Sequence, residues 1–228
     1  MARSQLLTDI VNGKESIENI LLRLKVILSD LDNEPIMNWV NGELQGYKGN
    51  ITAPMYRILK GQPIGTYLVN YTAKYSEAPV PLHHLLSGET IDELVTLKVT
   101  DSIAVIQDIL NGENRNNYSK TIPTSLCHNI SSGELQILGM RISFAANQLG
   151  GIVSMVKSKL VDIVIELENQ YNDLDALDIK SQIEEDDSKK ERVVYNIEKI
   201  IYEGSIEIGD KNKIGKTRIG NLFGGEKK

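Results

Sequence analysis

Residues 145–171, AANQLGGIVSMVKSKLVDIVIELENQY, restrict what this chain can fold into more than any other stretch. Leu149, Val153, Val156, Leu160, Ile163 and Leu167 recur at alternating steps of four and three, and Tyr171 follows four further on. That spacing lays one apolar stripe along a helix. Ile152 and Val164 widen the stripe, and Val161 and Ile165 add a second flank. A helix with this much apolar circumference needs cover on more than one side, so it is expected at the centre of the fold. It is not a membrane span, because Lys157, Lys159, Asp162 and Glu166 interrupt it, and a span needs roughly 20 apolar residues in a row.

The sequence before this helix changes character once. Leu6, Leu7, Ile10 and Val11 share a helical face that Gly13 ends. Ser16 is positioned to cap a second helix carrying Ile17, Ile20, Leu21, Leu24, Ile27, Leu28 and Leu31. Pro35 suits the first turn of a third, with Ile36, Trp39, Val40 and Leu44, ending near Gly46. Three short amphipathic helices in succession imply an N-terminal helical bundle. Met55–Lys60 and Ile64–Ala73 then show strand chemistry, aromatic and β-branched residues set between Gly61, Pro63 and Gly65. Pro79 and Pro81 predict a loop. Thr90 is placed to cap a short helix beginning IDEL, and Thr100 or Asp101 one through Ile103, Ile106 and Leu110. Glu113–Lys120 reads as a surface loop and Ile122–Ile130 as one short helix. Leu135–Phe144, where Met140, Ile142 and Phe144 alternate, reads as a strand feeding the central helix.

After Tyr171 the composition shifts. Residues 172–192 are charged and predict a linker or a solvated helix, and 193–228 carry Ile206, Ile208, Ile214 and Ile219 between glycines and asparagine. That pattern suits a β-meander or a turn or two of solenoid, which cannot bury its own face and so packs on a neighbour such as a second copy of the chain. The expected architecture is α+β: an N-terminal helical bundle, a small antiparallel sheet, a long central helix and a short C-terminal β-meander or solenoid-like tail. The expected units are a domain over 1–171, a linker over 172–192 and an oligomerising tail over 193–228.

Chemistry is sparse. The net charge of −6 argues against a general nucleic-acid binder, which needs excess cations to displace phosphate counterions. A single cysteine, Cys127, excludes an internal disulfide, fits a reducing cytoplasm, and is read as a small core residue rather than a nucleophile. The opening residues hold no long apolar run of the secretory kind. Gly215–Thr217 resembles the end of a phosphate-binding loop, but Gly209 and Gly215 stand six apart, one residue too far, in a β-like setting. His83, His84 and distant His128 lack metal-ligand spacing, and adjacent histidines are expected to point apart. Glu184–Asp187 is read as solvated, and Lys157 and Lys159 as marking the solvent edge of the central helix or snorkelling from it. Trp39 is read as a core anchor. No catalytic, cofactor-binding or metal-binding residue is assigned.

One segment carries a resemblance. NWVNGELQGY at residues 38–47, followed by PMYRILKGQPIG at 54–65, is similar to the AbiTii domain of bacterial abortive-infection proteins. The shared positions are Trp39, Glu43, Leu44, Gly46, Tyr47, Tyr56, Arg57, Ile58 and Gly61. PVPL at 79–82, DSIAVIQDIL at 101–110, Ile122–Pro123 and Glu166–Leu167–Glu168 follow in the same order, so the resemblance spans Leu6–Glu168. Lys157–Ser158–Lys159 departs from the arginine-containing stretch more usual in that family. The resemblance implies phage defence. The expectation is a cytoplasmic, non-enzymatic antiviral protein working by recognition or assembly, without a cofactor, as a homo-oligomer or with a phage or defence-system protein, and not at a membrane. The alternatives are a nucleic-acid sensor using Arg57, Arg141, Lys157 and Lys159, or a nuclease-type toxin built on Glu184–Asp187.

Overall fold

The computed structural model describes residues 3–49, 51–113, 115–184 and 187–202. The central helix forms as its periodicity predicts: α7 runs Ala146–Gln170. Leu149, Ile152, Val156, Leu160, Ile163, Val164 and Leu167 on it are buried, and Tyr171 closes its C-terminus inside the core. Burying each such aliphatic side chain contributes about 1.5–3 kcal/mol, and among the described helices α7 buries the most of them.

Three helices precede the strands: α1 (Gln5–Asn12), α2 (Ile17–Ser29) and α3 (Glu34–Gln45). Each starts on a short polar side chain. The Ser4, Ser16 and Asn33 side chains accept from the amides of Leu7, Asn19 and Ile36. Gly13 ends α1 in the left-handed conformation, φ 63°, where a Cβ would be strained. α1 packs on α7, and α2 on α3.

The strands are β1 (Ile58–Lys60), β2 (Gln62–Val69), β3 (Ala73–Pro79), β4 (Thr96–Lys98), β5 (Ser119–Ile122) and β6 (Leu135–Ser143). They make two antiparallel sheets, β1 with β4 and the order β3-β2-β6-β5. In β6 the buried positions change parity, from Leu135 and Ile137 to Met140 and Ile142. A bulge is the cause: Tyr67 pairs with Ile137 and Thr66 with Gly139, which leaves Leu138 unopposed and 44% exposed. β3, at the sheet's edge, carries a second irregularity, with Glu77 at φ 52°. Such a kink discourages pairing with a foreign strand.

Shorter helices fill the gaps: α4 (Gly88–Val95), α5 (Ile103–Asn111), α6 (Thr124–Ile130) and α8 (Lys180–Glu184). Several boundaries differ from expectation. Met55–Arg57 is a 3₁₀ turn, not strand, and Pro79 ends a strand instead of marking a loop. The segment expected as a loop ends in β5, which takes Ile122, so α6 begins only after Pro123. Ser87 caps α4, not Thr90, and Ser102 caps α5. The Asp101 carbonyl instead receives Arg57 Nη1 at 2.6 Å, which ties the backbone before α5 into the interior.

The largest correction concerns the chain after Tyr171. Residues 187–202 form a helix, α9 (Asp187–Tyr202), packed against α7 and α3. Val193, Ile197 and Ile201 are buried at steps of four. Leu174, Ile179 and Ile183 are buried too, so the segment expected as a linker or a solvated helix is partly helical but contributes to the core. The unit boundary expected at 192 therefore falls within a helix. Residues 203–228, the rest of the expected β tail, lie outside the described residues.

Candidate functional site

The polar residues that carry the resemblance converge on one buried network. Trp39 and Glu43 are four apart on α3, hence on one face. That face also holds Ile36 and Val40, so Glu43 enters an apolar interior, where it is 0% exposed. Tyr47 follows one turn later. The 3₁₀ turn Met55–Arg57 delivers Tyr56 and Arg57 from the other side, with Arg57 also 0% exposed.

A buried carboxylate is costly unless paired and hydrogen-bonded. Here Glu43 Oε1 accepts from Tyr47 Oη at 2.7 Å, Tyr56 Oη at 2.6 Å and Arg57 Nε at 3.0 Å. Its Oε2 accepts from Arg57 Nη2 at 2.5 Å. Arg57 Nη1 donates to the carbonyls of Asp101 at 2.6 Å and Val99 at 3.4 Å. Trp39 Nε1 donates to Tyr56 Oη at 2.8 Å. The guanidinium also lies 4.9 Å from the Tyr47 ring centroid. Burial, then the Glu43 charge, pushes both tyrosine hydroxyls well above their usual range. Burial opposes the Arg57 cation, but the Glu43 hydrogen bond and charge outweigh it and hold the cation above its usual range.

Two glycines permit this closeness. A Cβ on Gly42 would stand 2.3 Å from Tyr47 Cε1, and one on Gly46 2.7 Å from the Thr100 carbonyl. Gly46 adopts φ 85°, and the following amide, Tyr47 N, donates to Thr100 O at 2.8 Å. The network thus bolts α3, the 3₁₀ turn and the strand leading to α5 together.

The cations proposed for nucleic acid do not form one surface. Arg57 is inside. Lys159 is 7% exposed, not at the solvent edge, and its Nζ donates to the Ile200 carbonyl of α9 at 2.6 Å. It also stands 5.6 Å from the Tyr56 ring centroid, and burial holds its pKa below the usual lysine range. Arg141 is engaged bidentately by Glu77, while Lys157 is exposed on α7. Trp39 is a core anchor, 1% exposed, as expected. Cys127 is buried, as expected, with burial pushing its thiol up. His83 and His84 lie in a 3₁₀ turn with ring centroids 3.9 Å apart, not pointing apart. Among the described residues no group of three or more His, Cys, Asp or Glu could hold a metal. Asp187 begins α9, whereas Glu185 and Asp186 of the acidic run, and Gly215–Thr217, lie outside the described residues.

A depression of about 730 Å³ opens between the N-terminus and the segment after α7, lined by Arg3, Ser4, Glu168, Tyr171, Asp173 and Asp175. Two of its acids, Glu168 and Asp175, have structural partners. Glu168 accepts from Ser4 N at 2.7 Å and Arg3 Nη1 at 2.8 Å. Asp175 accepts from Gln5 N at 3.0 Å on each oxygen, which neutralises the exposed amides that start α1. Sequence reasoning missed both partnerships, which join residues more than 160 apart in the chain. It also missed the Glu43–Arg57 pair. Its signal was present: an acid at helical spacing within an apolar face needs a buried cation.

Among the described residues no helix is long and apolar enough to cross a membrane. Searches of curated proteins and of solved structures return no match to this chain. The AbiTii family profile matches residues 4–192, beyond the Leu6–Glu168 span of the resemblance and into α9. The match covers most of the chain and takes in the whole buried network, so this protein belongs to the AbiTii family, for which abortive-infection phage defence is the expected role.

Proposed function

We propose that this protein acts in abortive-infection phage defence through recognition or assembly rather than catalysis. One observation carries the reading. The polar side chains in the family-like segment, Glu43, Tyr47, Tyr56 and Arg57, bond to one another and to backbone beneath the surface. Groups so engaged position structure; they are not turned toward a substrate. The surface they support is then the working part, with a second copy or a phage or defence-system protein as its partner. The single cysteine, free and buried, fits a cytoplasmic setting.

The test is phage plating on bacteria expressing the full chain. The expected result is reduced plaque formation together with collapse of the infected culture, which marks abortive infection. Unchanged plating across a phage panel overturns the defence reading. Self-association is tested by the solution mass of the full chain and of a chain ending at Tyr202. A cut at Val193 would instead remove the buried Val193, Ile197 and Ile201 and damage the core. The same subunit number in both chains overturns a role for 203–228.

A further inference from the structure

The hairpin joining β2 to β3 turns on two residues in the left-handed region, Asn70 at φ 50° and Tyr71 at φ 60°. Thr72 N closes it on the Val69 carbonyl at 3.1 Å. A turn with both central residues in that region ordinarily places glycine second, because a Cβ there is strained. Burial does not offset the strain at Tyr71, which is 67% exposed. Strain kept at an exposed position points to a use for the side chain. The arm that carries it is braced: Tyr75 stacks on the buried Tyr67, with ring centroids 5.1 Å apart and planes 14° from parallel. β3 is exposed from Ala73 to Glu77, so the described residues leave this arm uncovered. Its edge is kinked at Glu77, so it offers a partner side chains more readily than backbone.

A receptor of matching size lies at the other side of the same sheet. Leu86, Leu94, Leu126 and Ile130 line a groove of about 240 Å³ between α4 and α6, with Glu93 and Lys120 beside them. The groove is smaller than the roughly 300–1,000 Å³ of a small-molecule pocket and has room for one anchoring side chain. Leu126 is 38% exposed in it. Lys120 belongs to β5, and β3 and β5 are the outer strands of the order β3-β2-β6-β5. Three strand spacings, about 14 Å, separate them, so Tyr71 does not reach the groove of its own chain. The charges match as well. Exposed Lys74 and Glu134 flank the hairpin tip, where Asn70 N donates to the Glu134 carbonyl at 2.8 Å. Exposed Glu93 and Lys120 flank the groove. One charge of each sign on each surface lets Lys74 meet Glu93 and Glu134 meet Lys120.

We propose that Tyr71 of one copy anchors in the α4–α6 groove of the next, so that the chain associates head to tail. A contact between two different patches repeats in one direction, giving a ring where the rotation closes and a filament where it does not. One anchor in one groove is a small interface, so assembly depends on protein concentration. The proposal rests on the assembly reading above, but it is measured on purified protein, so its failure appears in solution mass and the failure of the defence reading in plating.

Sedimentation of the full chain at rising concentration tests it. The mass of the unaltered protein is expected to climb above the 25.4 kDa of one chain. Tyr71→Gly relieves the turn, so it is expected to keep or raise the urea midpoint while lowering the mass reached at the highest concentration. Leu126→Glu, at an exposed position, is expected to lower that mass too. Leu126→Glu still carries the tyrosine and Tyr71→Gly still carries the groove, so their mixture is expected to rise toward about twice the mass of either alone. Hairpin-to-hairpin association would not be restored by mixing. Unaltered mass in Tyr71→Gly, or a mixture no heavier than its parts, overturns the proposal. If Leu126→Glu does not fold, Glu93→Lys at the exposed rim takes its place in both measurements, with the same two outcomes.

Discussion

Replacing Arg57 with methionine keeps a similar stem volume and removes the cation paired with Glu43. Both residues are 0% exposed, so no water stands ready to take the place of the guanidinium. Two donors remain on the carboxylate, the hydroxyls of Tyr47 and Tyr56. They solvate it but supply no countercharge. The carbonyls of Val99 and Asp101 lose a donor as well. Breaking a buried pair from one side costs about 3–5 kcal/mol, against under about 1 kcal/mol for a surface pair. At about 2–4 °C per kcal/mol for a domain of this size, the expected fall in Tm is about 6–20 °C. The assay is thermal and urea unfolding of Arg57→Met, Glu43→Gln and the double variant. The double variant should cost less than the two singles added together by about 0.5–3 kcal/mol, the coupling expected of residues in direct contact. A single-variant loss under about 1 kcal/mol, or strict additivity, refutes the reasoning.

Other outcomes follow from the same geometry. Tyr47 and Tyr56 hold their protons in the folded state well above the ordinary value of 10.0, because burial and Glu43 oppose ionisation. A raised folded value gives stability that is complete below the unfolded value and lost as pH rises past it. Urea midpoints should therefore fall above about pH 10, and less steeply in Tyr47→Phe, as checked by denaturation across pH 8–11. Gly42→Ala forces a Cβ against the Tyr47 ring, and should cost about 1–3 kcal/mol by urea unfolding. Cys127 should resist iodoacetamide in the native protein and react fully in denaturant, as read by mass, because the thiol is buried and its pKa raised.

Much of the fold was legible in the sequence because local spacing dictated it. The α7 stripe and the caps Ser4, Ser16 and Asn33 depend on residues within one or two turns. Elements set by distant partners were harder to read. α9 shows its stripe of Val193, Ile197 and Ile201 in the sequence, but charges surround it and its cover lies on α7 and α3. Read alone, residues 187–192 pass for a linker or a solvated helix, and 193–202 for the start of a β tail. The start of α5 moved by a residue: Ser102 caps it, while Arg57, more than forty positions away, donates to the Asp101 carbonyl. β6 looked like simple alternation from Met140 onward, and the bulge at Leu138 explains why its first half follows the other parity. Within the candidate site, each residue was visible through the resemblance, but its partner was not. Lys159 reads as a surface lysine in the sequence, and only the fold brings the Ile200 carbonyl within reach of its ammonium.

Under the proposed function, Trp39, Glu43, Tyr47, Tyr56 and Arg57 hold the scaffold and perform no reaction. Phage protection measured beside folded fraction, for Glu43→Gln and Tyr56→Phe at a temperature where both variants stay folded, tests it most directly. The account predicts protection that follows folded fraction, near that of the unaltered protein when folding is complete. A fully folded variant that no longer protects would contradict it.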